Sequence, residues 1–489
     1  MSDNYLSYRI TTPAGPQCLA IHLRDPHGRP QHQRLRALHA AANAWARKGL
    51  QIRSDLSIRP PSGSDVQELV DYLFADGSEN GPRLQRHLSM LLANRPLHRY
   101  TIRPGSPVEG SDLVGREEVV AALLAHLTDK SCHVRAPRRY GKTCILKRVE
   151  QELQKQNVPC ALIDVSECSS ALWFFVAVAT GVMDRFGTRP SIESIEELKD
   201  WPPVDCEPLL RAEAERALAI TIRTNPWHFG RRLLAALADV HMTLLLDEFS
   251  VFLREVLKDH RDEARRLLRM LAEARRSTRR IHMALAGSAG LTAYVRFAGL
   301  EQELKDLTPI EIEPLSNQEG LVLAEELIYG GFRLPGPGAA SEMLAVVGPP
   351  VPYFLHALAN EICSMTTEST PITASVVRHA YRERLLGSSG NFYFRVYRLQ
   401  NQTYPDHLRS AASSILSMVA RHPQGVPENT LRDLFVGRVA ESKHDQFEEL
   451  FPCLQEDYDL IEGPEGWMMR CKALRDRLAL SGAWLAEEE

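Results

Sequence analysis

The stretch "VRAPRRYGKTCILK" (Val134–Lys147) constrains the chain more than any other. An apolar strand ending at Arg135 runs into a short loop, and Gly141-Lys142-Thr143 stand where an amphipathic helix running to Gln154 begins. Backbone N–H groups at a helix N-terminus, converging from a tight loop, form a cradle for phosphate. In that geometry Lys142 reaches the β- and γ-phosphates, the Thr143 hydroxyl ligates Mg²⁺, and Gly141 permits close approach of the backbone. Pro137, Arg138, Arg139, Tyr140 and Cys144 complete the candidate phosphate-binding set. The first loop position, where glycine is usual, is Ala136. A methyl group is tolerated there if φ is negative.

A second element has the right order and distance. "HMTLLLDEFS" is an apolar strand ending in Asp247-Glu248, about a hundred residues after the loop. In a parallel sheet that strand end lies on the same edge as the loop, so Asp247 would hold Mg²⁺ and Glu248 would polarise an attacking water. Apolar β-runs at 131–136, 159–166, 242–249, 281–287 and 310–315 alternate with long helical segments. Such alternation predicts an α/β fold, a parallel sheet covered on both faces.

The flanking segments differ in character. Residues 1–105 read as a small α/β accessory domain, with a strand at 17–25, a helix at 31–49, a further strand at 50–58, and helices around 65–74 and 81–93. The Pro/Gly/Ser-rich stretch 103–112 reads as a linker into a core at 112–315. Residues 316–400 read as a helical lid. From 404 to 489 the order is helix, helix, helix, a hairpin turning at Gly463-Pro464-Glu465-Gly466, and a last helix, the pattern of a winged helix.

Charge separates these segments more than the formal net of −4 suggests. Residues 1–110 carry 14 Lys/Arg against 9 Asp/Glu, 251–280 carry 10 against 5, and 404–489 carry 9 against 16. A basic helix at 254–280 therefore has two readings, a DNA-backbone contact or a solvated face whose apolar stripe (Leu257, Leu267, Leu268, Leu271) packs on the sheet; the second is favoured. The acidic recognition helix expected in the C-terminal segment would be repelled by DNA phosphates, so protein docking or an intramolecular brake is favoured there. Nucleic acid is not the favoured partner, and the basic N-terminal segment would be its place of contact. The nine cysteines form no C-x-x-C pair, and the N-terminal histidines (His22, His27, His32, His39) lack partners at ligand spacing, so no metal site beyond Mg²⁺ is expected. The longest apolar run, "ALWFFVAVATGVM" (171–183), is too short to cross a bilayer and reads as a helix packed on the sheet, and no export signal opens the chain. A cytoplasmic protein is expected.

Taken together, "LVGREEVVAALLAHL" (113–127), "APRRYGKTCIL", "LLLDEF" and "LAGSAGL" resemble the archaeal-type ATPases of the STAND branch of AAA+-related proteins, relatives of the origin-recognition ATPases. The resemblance runs from about Asp112 to the C-terminus. It implies an AAA+-like P-loop core, a helical lid and a winged-helix tail, with ATP and Mg²⁺ as ligands. It implies that Val114, Gly115 and Arg116 line the adenine pocket. Ser288 matches the polar sensor facing the γ-phosphate, and Pro352 and Tyr353 match the lid motif that lies against the nucleotide. Pro350 departs from that motif, where glycine is usual. Of the trans-acting arginine common in the family, the corresponding zone offers Lys305, with Arg296 on the preceding helix as the alternative. The resemblance thus implies an ATP hydrolase, slow on account of Ala136 at the first loop position, acting as a conformational switch in prokaryotic signalling or anti-phage defence, through a protein partner and compatible with a homo-oligomer. The alternative is a DNA-handling ATPase of the replication-initiator or transposition-helper type.

Overall fold

The computed structural model describes residues 5–12, 15–22, 101–108 and 112–480, the last with short interruptions at 187–194, 200, 204–205, 279, 288–290, 292–294, 296–298, 331–333, 336–337, 368–370 and 403. Contacts divide the chain into two compact units, one of residues 1–104, 321–346 and 355–387, the other of 105–320, 347–354 and 388–489.

Within the first unit, β1 (Tyr5–Thr12) pairs antiparallel with β2 (Gly15–His22), Tyr5 opposite His22 and Thr12 opposite Gly15. The strand expected at 17–25 is thus the second arm of a hairpin. The helices and strand expected between 31 and 93, and His27, His32 and His39, lie outside the described residues.

The second unit opens with α1 (Glu117–His126) and the sheet strand β3 (Cys132–Arg135). α2 (Lys142–Lys155) and β4 (Cys160–Asp164) follow, then α3 (Ala171–Phe186), α4 (Pro208–Ile222) and α5 (Pro226–Asp239). β5 (Thr243–Asp247) leads into α6 (Phe249–Asp259) and α7 (Arg261–Thr278), and β6 (His282–Gly287) and β7 (Thr308–Glu311) complete the sheet. The five strands pair in parallel in the order β4-β5-β6-β3-β7. Register brings Asp164 level with Asp247, and Arg135 level with both Gly287 and Glu311, so all the carboxyl ends share one edge. In open α/β sheets that edge is where ligands bind.

A parallel sheet buried on both faces needs continuous apolar strands, and β5 is buried at every position. "ALWFFVAVATGVM" forms most of α3, with Phe174 stacked on Phe252 of α6 at 5.1 Å between ring centroids. The basic segment 254–280 is two helices, α6 and α7, because the chain leaves helical geometry at His260 (φ −138°, ψ 56°). Leu267, Leu268 and Leu271 are wholly buried. The α7 arginines turn back onto the protein: Arg275 grips Asp306 at 2.9 and 3.1 Å, Arg276 shares Asp306, and Arg269 pairs with Glu303 at 3.1 Å. The last strand starts at Thr308, earlier than the run expected at 310–315.

Beyond the sheet, α8 (Asn317–Gly330), the short β8 (Leu334–Pro335), α9 (Ala339–Val347), α10 (Pro352–Met365), β9 (Pro371–Ile372) and α11 (Ala374–His379) make up the expected helical segment, with β8 and β9 pairing as a short parallel ladder. Within the first unit, Arg378 pairs with Glu342 at 2.9 Å and Arg384 with Glu361 at 3.2 Å.

The C-terminal segment belongs to the second unit. α12 (Asn391–Asn401), α13 (Asp406–Arg421), α14 (Glu428–Val436) and α15 (Phe447–Tyr458) precede the hairpin β10 (Leu460–Gly463) and β11 (Gly466–Met469), and α16 (Lys472–Leu480) follows. The hairpin turns at 464–465, where the Gly-Pro-Glu-Gly stretch places it. The helix expected at 441–455 begins with a 3-10 turn (Glu441–Gln446) and is α-helical only from Phe447. Among the described residues no helix is long and apolar enough to cross a membrane.

Candidate nucleotide site

Between β3 and α2 the loop must reverse its path in six residues, which calls for left-handed backbone. Arg139 (φ 72°) and Gly141 (φ 91°) supply it. Ala136 is not among the positive-φ residues, so its methyl group meets the condition under which it replaces glycine without backbone strain. A Cβ built on Gly141 would meet nothing within 4 Å. Glycine is demanded there by its φ and not by crowding, and the space before α2 is open.

Lys142 is buried, and its Nζ donates to the carbonyls of Ala136 (2.7 Å) and Pro137 (2.9 Å). Burial lowers its pKa to about 8, against the opposing charges of Glu248 and Asp247. The Thr143 hydroxyl donates to Asp247 Oδ2 at 2.6 Å, across 104 residues of sequence. Burial raises the Asp247 pKa, and the Thr143 hydrogen bond opposes that rise. Although β6 lies between β3 and β5, the shared edge still lets these two side chains meet. Asp247 Oδ1 accepts the Glu248 N–H at 2.9 Å, and Glu248 itself takes a left-handed conformation (φ 54°, ψ 27°) at the N-cap of α6. A non-glycine residue in that region costs on the order of 1 kcal/mol, and such residues cluster at functional sites.

The Gly115-Arg116 turn is tied to the same loop. Both residues have positive φ, and a Cβ on Gly115 would fall 2.4 Å from Glu319 Oε1. Glu319 accepts the N–H of Ser316 at 2.7 Å and that of Arg116. The Arg116 guanidinium donates to the Tyr140 carbonyl at 3.1 Å and to the Glu313 carbonyl. Val114 is half-buried just before this turn.

The remaining loop side chains face other elements. Arg139 stacks over the Tyr353 ring at 4.6 Å and donates to the Gly105 carbonyl at 3.3 Å. Tyr353 follows Pro352, the first residue of α10, and its hydroxyl donates to the Tyr393 carbonyl at 2.8 Å. The Pro350 carbonyl accepts the Leu315 N–H at 3.0 Å, so the position that departs from the expected motif still ties its segment to the core. Cys144 Sγ accepts the Val108 N–H at 3.4 Å, and burial raises its thiol pKa. The stretch expected as a linker thus lies, at Gly105 and Val108, against the phosphate loop. Arg138 Nε donates to Gln400 Oε1 at 2.9 Å, and the Tyr140 hydroxyl donates to Asp459.

Ser288 and Arg296 lie outside the described residues. Lys305 is exposed in the turn before β7. Glu319, Gln400, Asp457 and Asp459 were not marked by the sequence pattern. For the last two a signal existed, since carboxylates at the C-terminal end of a helix oppose its dipole.

The donor set fits a magnesium-bound nucleoside triphosphate. A buried ammonium lies at an open helix N-terminus, and a hydroxyl–carboxylate pair able to share one small hard cation lies beside it.

No protein-family model matches the chain, and no curated protein matches it in sequence. Solved structures do match. The Walker-type ATPase of Pyrococcus abyssi is 14% identical with a TM-score of 0.53, covering 78% of this chain and 99% of its own. The Aeropyrum pernix ORC2 protein, in its ADPNP–ADP complexes, is 13% identical with a TM-score of 0.47, covering 78% and 96%. The Thermotoga maritima RuvB Holliday junction branch migration motor is 13% identical with a TM-score of 0.38, covering 74% and 94%. The first of these likenesses shows the fold: the α/β parallel-sheet fold of a Walker-type P-loop ATPase.

Proposed function

We propose that the chain binds ATP with Mg²⁺ at the Lys142–Thr143–Asp247 site, hydrolyses it slowly, and uses the nucleotide as a conformational switch. The observation that carries this reading is the 2.6 Å hydrogen bond from the Thr143 hydroxyl to Asp247, which joins the loop end to the strand end where a phosphate-bound metal belongs. Mg²⁺ held by Thr143 and Asp247 would neutralise charge on the β- and γ-phosphates. Lys142, released from the Ala136 and Pro137 carbonyls, bonds the same phosphates. Glu248, at the start of α6, orients and polarises the attacking water. By the family resemblance Ser288 would serve as the γ-phosphate sensor, Val114, Gly115 and Arg116 would hold the base, and Pro352 would close the pocket through Tyr353.

The four-part division at 1–105, 112–315, 316–400 and 404–489 is kept as the functional layout, with a lid and a winged helix in the third and fourth parts. The partner is a protein, and a role in prokaryotic signalling or defence rests on family analogy alone. Inward pairing of Arg269, Arg275 and Arg276 with Glu303 and Asp306 favours the switch over a DNA-handling ATPase. A homo-oligomer is compatible, with Arg296 or Lys305 as the trans-acting cation.

The test is Mg·ATP hydrolysis by the full chain, with and without duplex DNA, at two salt concentrations. The switch gives slow turnover that DNA leaves unchanged. Stimulation by DNA that fades steeply with salt would establish the DNA-handling ATPase instead.

A further inference from the structure

α4 (Pro208–Ile222) buries Leu218, Ala219 and Ile222 yet leaves other apolar side chains in solvent. Its inner face rests on α3, where Arg211 pairs with Asp184 at 3.1 Å, and α3 in turn packs on β4, an edge strand of the sheet. On the outer face Leu209 is 75% exposed and Ile220 74%. Single exposed apolar residues are ordinary on a protein surface. These two belong to a pattern. Leu209, Glu213, Arg216 and Ile220, all exposed, follow one another at spacings of four, three and four, which sets them in one stripe along the helix, opposite the buried one.

The order of residues in that stripe is self-complementary. Leu209 lies as far before its midpoint as Ile220 lies beyond it, and Glu213 and Arg216 are placed likewise. Turned end to end, the stripe still sets apolar against apolar, and it sets Glu213 against Arg216. Ala212 and Ala217 flank it symmetrically, and small side chains at those positions let two helices approach closely. The spacing is that of a coiled-coil seam. Parallel pairing of two such helices would oppose like charges, whereas antiparallel pairing opposes unlike ones at both central positions. A two-fold contact requires a surface that complements itself, residue i meeting j and j meeting i. An unrelated partner imposes no such symmetry.

We propose that the outer face of α4 is a self-association surface, on which a second copy of this chain lays its own α4 antiparallel, Leu209 against the partner's Ile220 and Glu213 against the partner's Arg216. The contact is independent of the nucleotide reading. Being isologous, it closes at two copies, whereas a cation acting in trans on a neighbour's nucleotide needs a head-to-tail contact. The two also use different sides of the core: α4 stands on the β4 side of the sheet, and Lys305 precedes β7, the strand at the opposite edge. Two helices about 22 Å long and roughly 10 Å across cover less than the roughly 1,200 Å² of a standard stable interface. The dimer is therefore weak, with a dissociation constant in the micromolar range, and it responds to concentration.

The experiment is sedimentation of the full chain over about 1–100 μM, for the wild type, for Glu213→Arg, and for Glu213→Arg combined with Arg216→Glu. Both positions are exposed, and matching thermal melts show that the variants fold. The wild type should pass from monomer to dimer across this range. Glu213→Arg should weaken association about tenfold or more, because two opposite-charge contacts become two like-charge ones. The double variant should return it to within a few-fold of wild type, since the charges have exchanged places across the two-fold axis. A wild type that stays monomeric throughout overturns the inference. So does an association that Glu213→Arg leaves unchanged, or one that the double variant fails to restore.

Discussion

The two halves of the phosphate loop are held by different parts of the molecule. Gly141, Lys142 and Thr143 are placed by their own helix and by β5, and their partners are Asp247 and the loop's own carbonyls. Arg138 and Tyr140, only a few residues earlier, are held by Gln400 and Asp459 in the C-terminal segment. The first half has partners that any such loop would need for phosphate and metal. The second has partners particular to this chain. The two halves are therefore separable along a single loop: changes on the 142–143 side should alter binding or turnover, and changes on the 138–140 side should alter how firmly the C-terminal segment is held.

The sharpest way to break that division is Glu248→Gln. If Glu248 serves only the chemical half, turnover falls by about 10²–10³-fold while ATP affinity stays within a few-fold of wild type, in steady-state hydrolysis paired with a binding titration. Equal loss of both would place Glu248 in binding instead. The smallest effect belongs to the position that looks most irregular in sequence. Because Ala136 has no positive φ, Ala136→Gly should leave turnover unchanged and lower stability by about 0.5–1 kcal/mol, through the greater freedom of glycine in the unfolded chain. Thermal melting together with hydrolysis checks it, and a marked rise in turnover would show that the methyl group does obstruct the cradle.

The same contrast explains what could be read from the sequence. Strands such as "TLLLD" are legible because a sheet covered on both faces demands unbroken apolar runs, and a loop at a strand–helix junction fixes its own phosphate-binding residues over a dozen positions. Thr143 and Asp247 could be paired across 104 residues because the parallel order forces both onto one edge. Nothing comparable announces Gln400, and Asp459 is marked only as a carboxylate where the helix dipole disfavours one. Their partners lie 262 and 319 residues away, and their roles depend on how the C-terminal segment packs, which no local periodicity encodes. The break of the basic segment at His260 was likewise hidden, since the apolar stripe runs through it without a proline or glycine. The carboxylates of α15 were visible as charge, but they read as a solvent-facing surface that repels DNA. In the structure the last of them point inward, onto Arg135 and Tyr140.

The central claim, a Mg·ATP site built on Lys142, is tested most directly by isothermal titration of Mg·ATP into the full-length wild type and Lys142→Ala side by side. The account predicts saturable, Mg²⁺-dependent binding to the wild type and a loss of about a hundredfold or more in the variant, as removal of a buried charged hydrogen-bond donor requires. Equal affinity in the two proteins would contradict it.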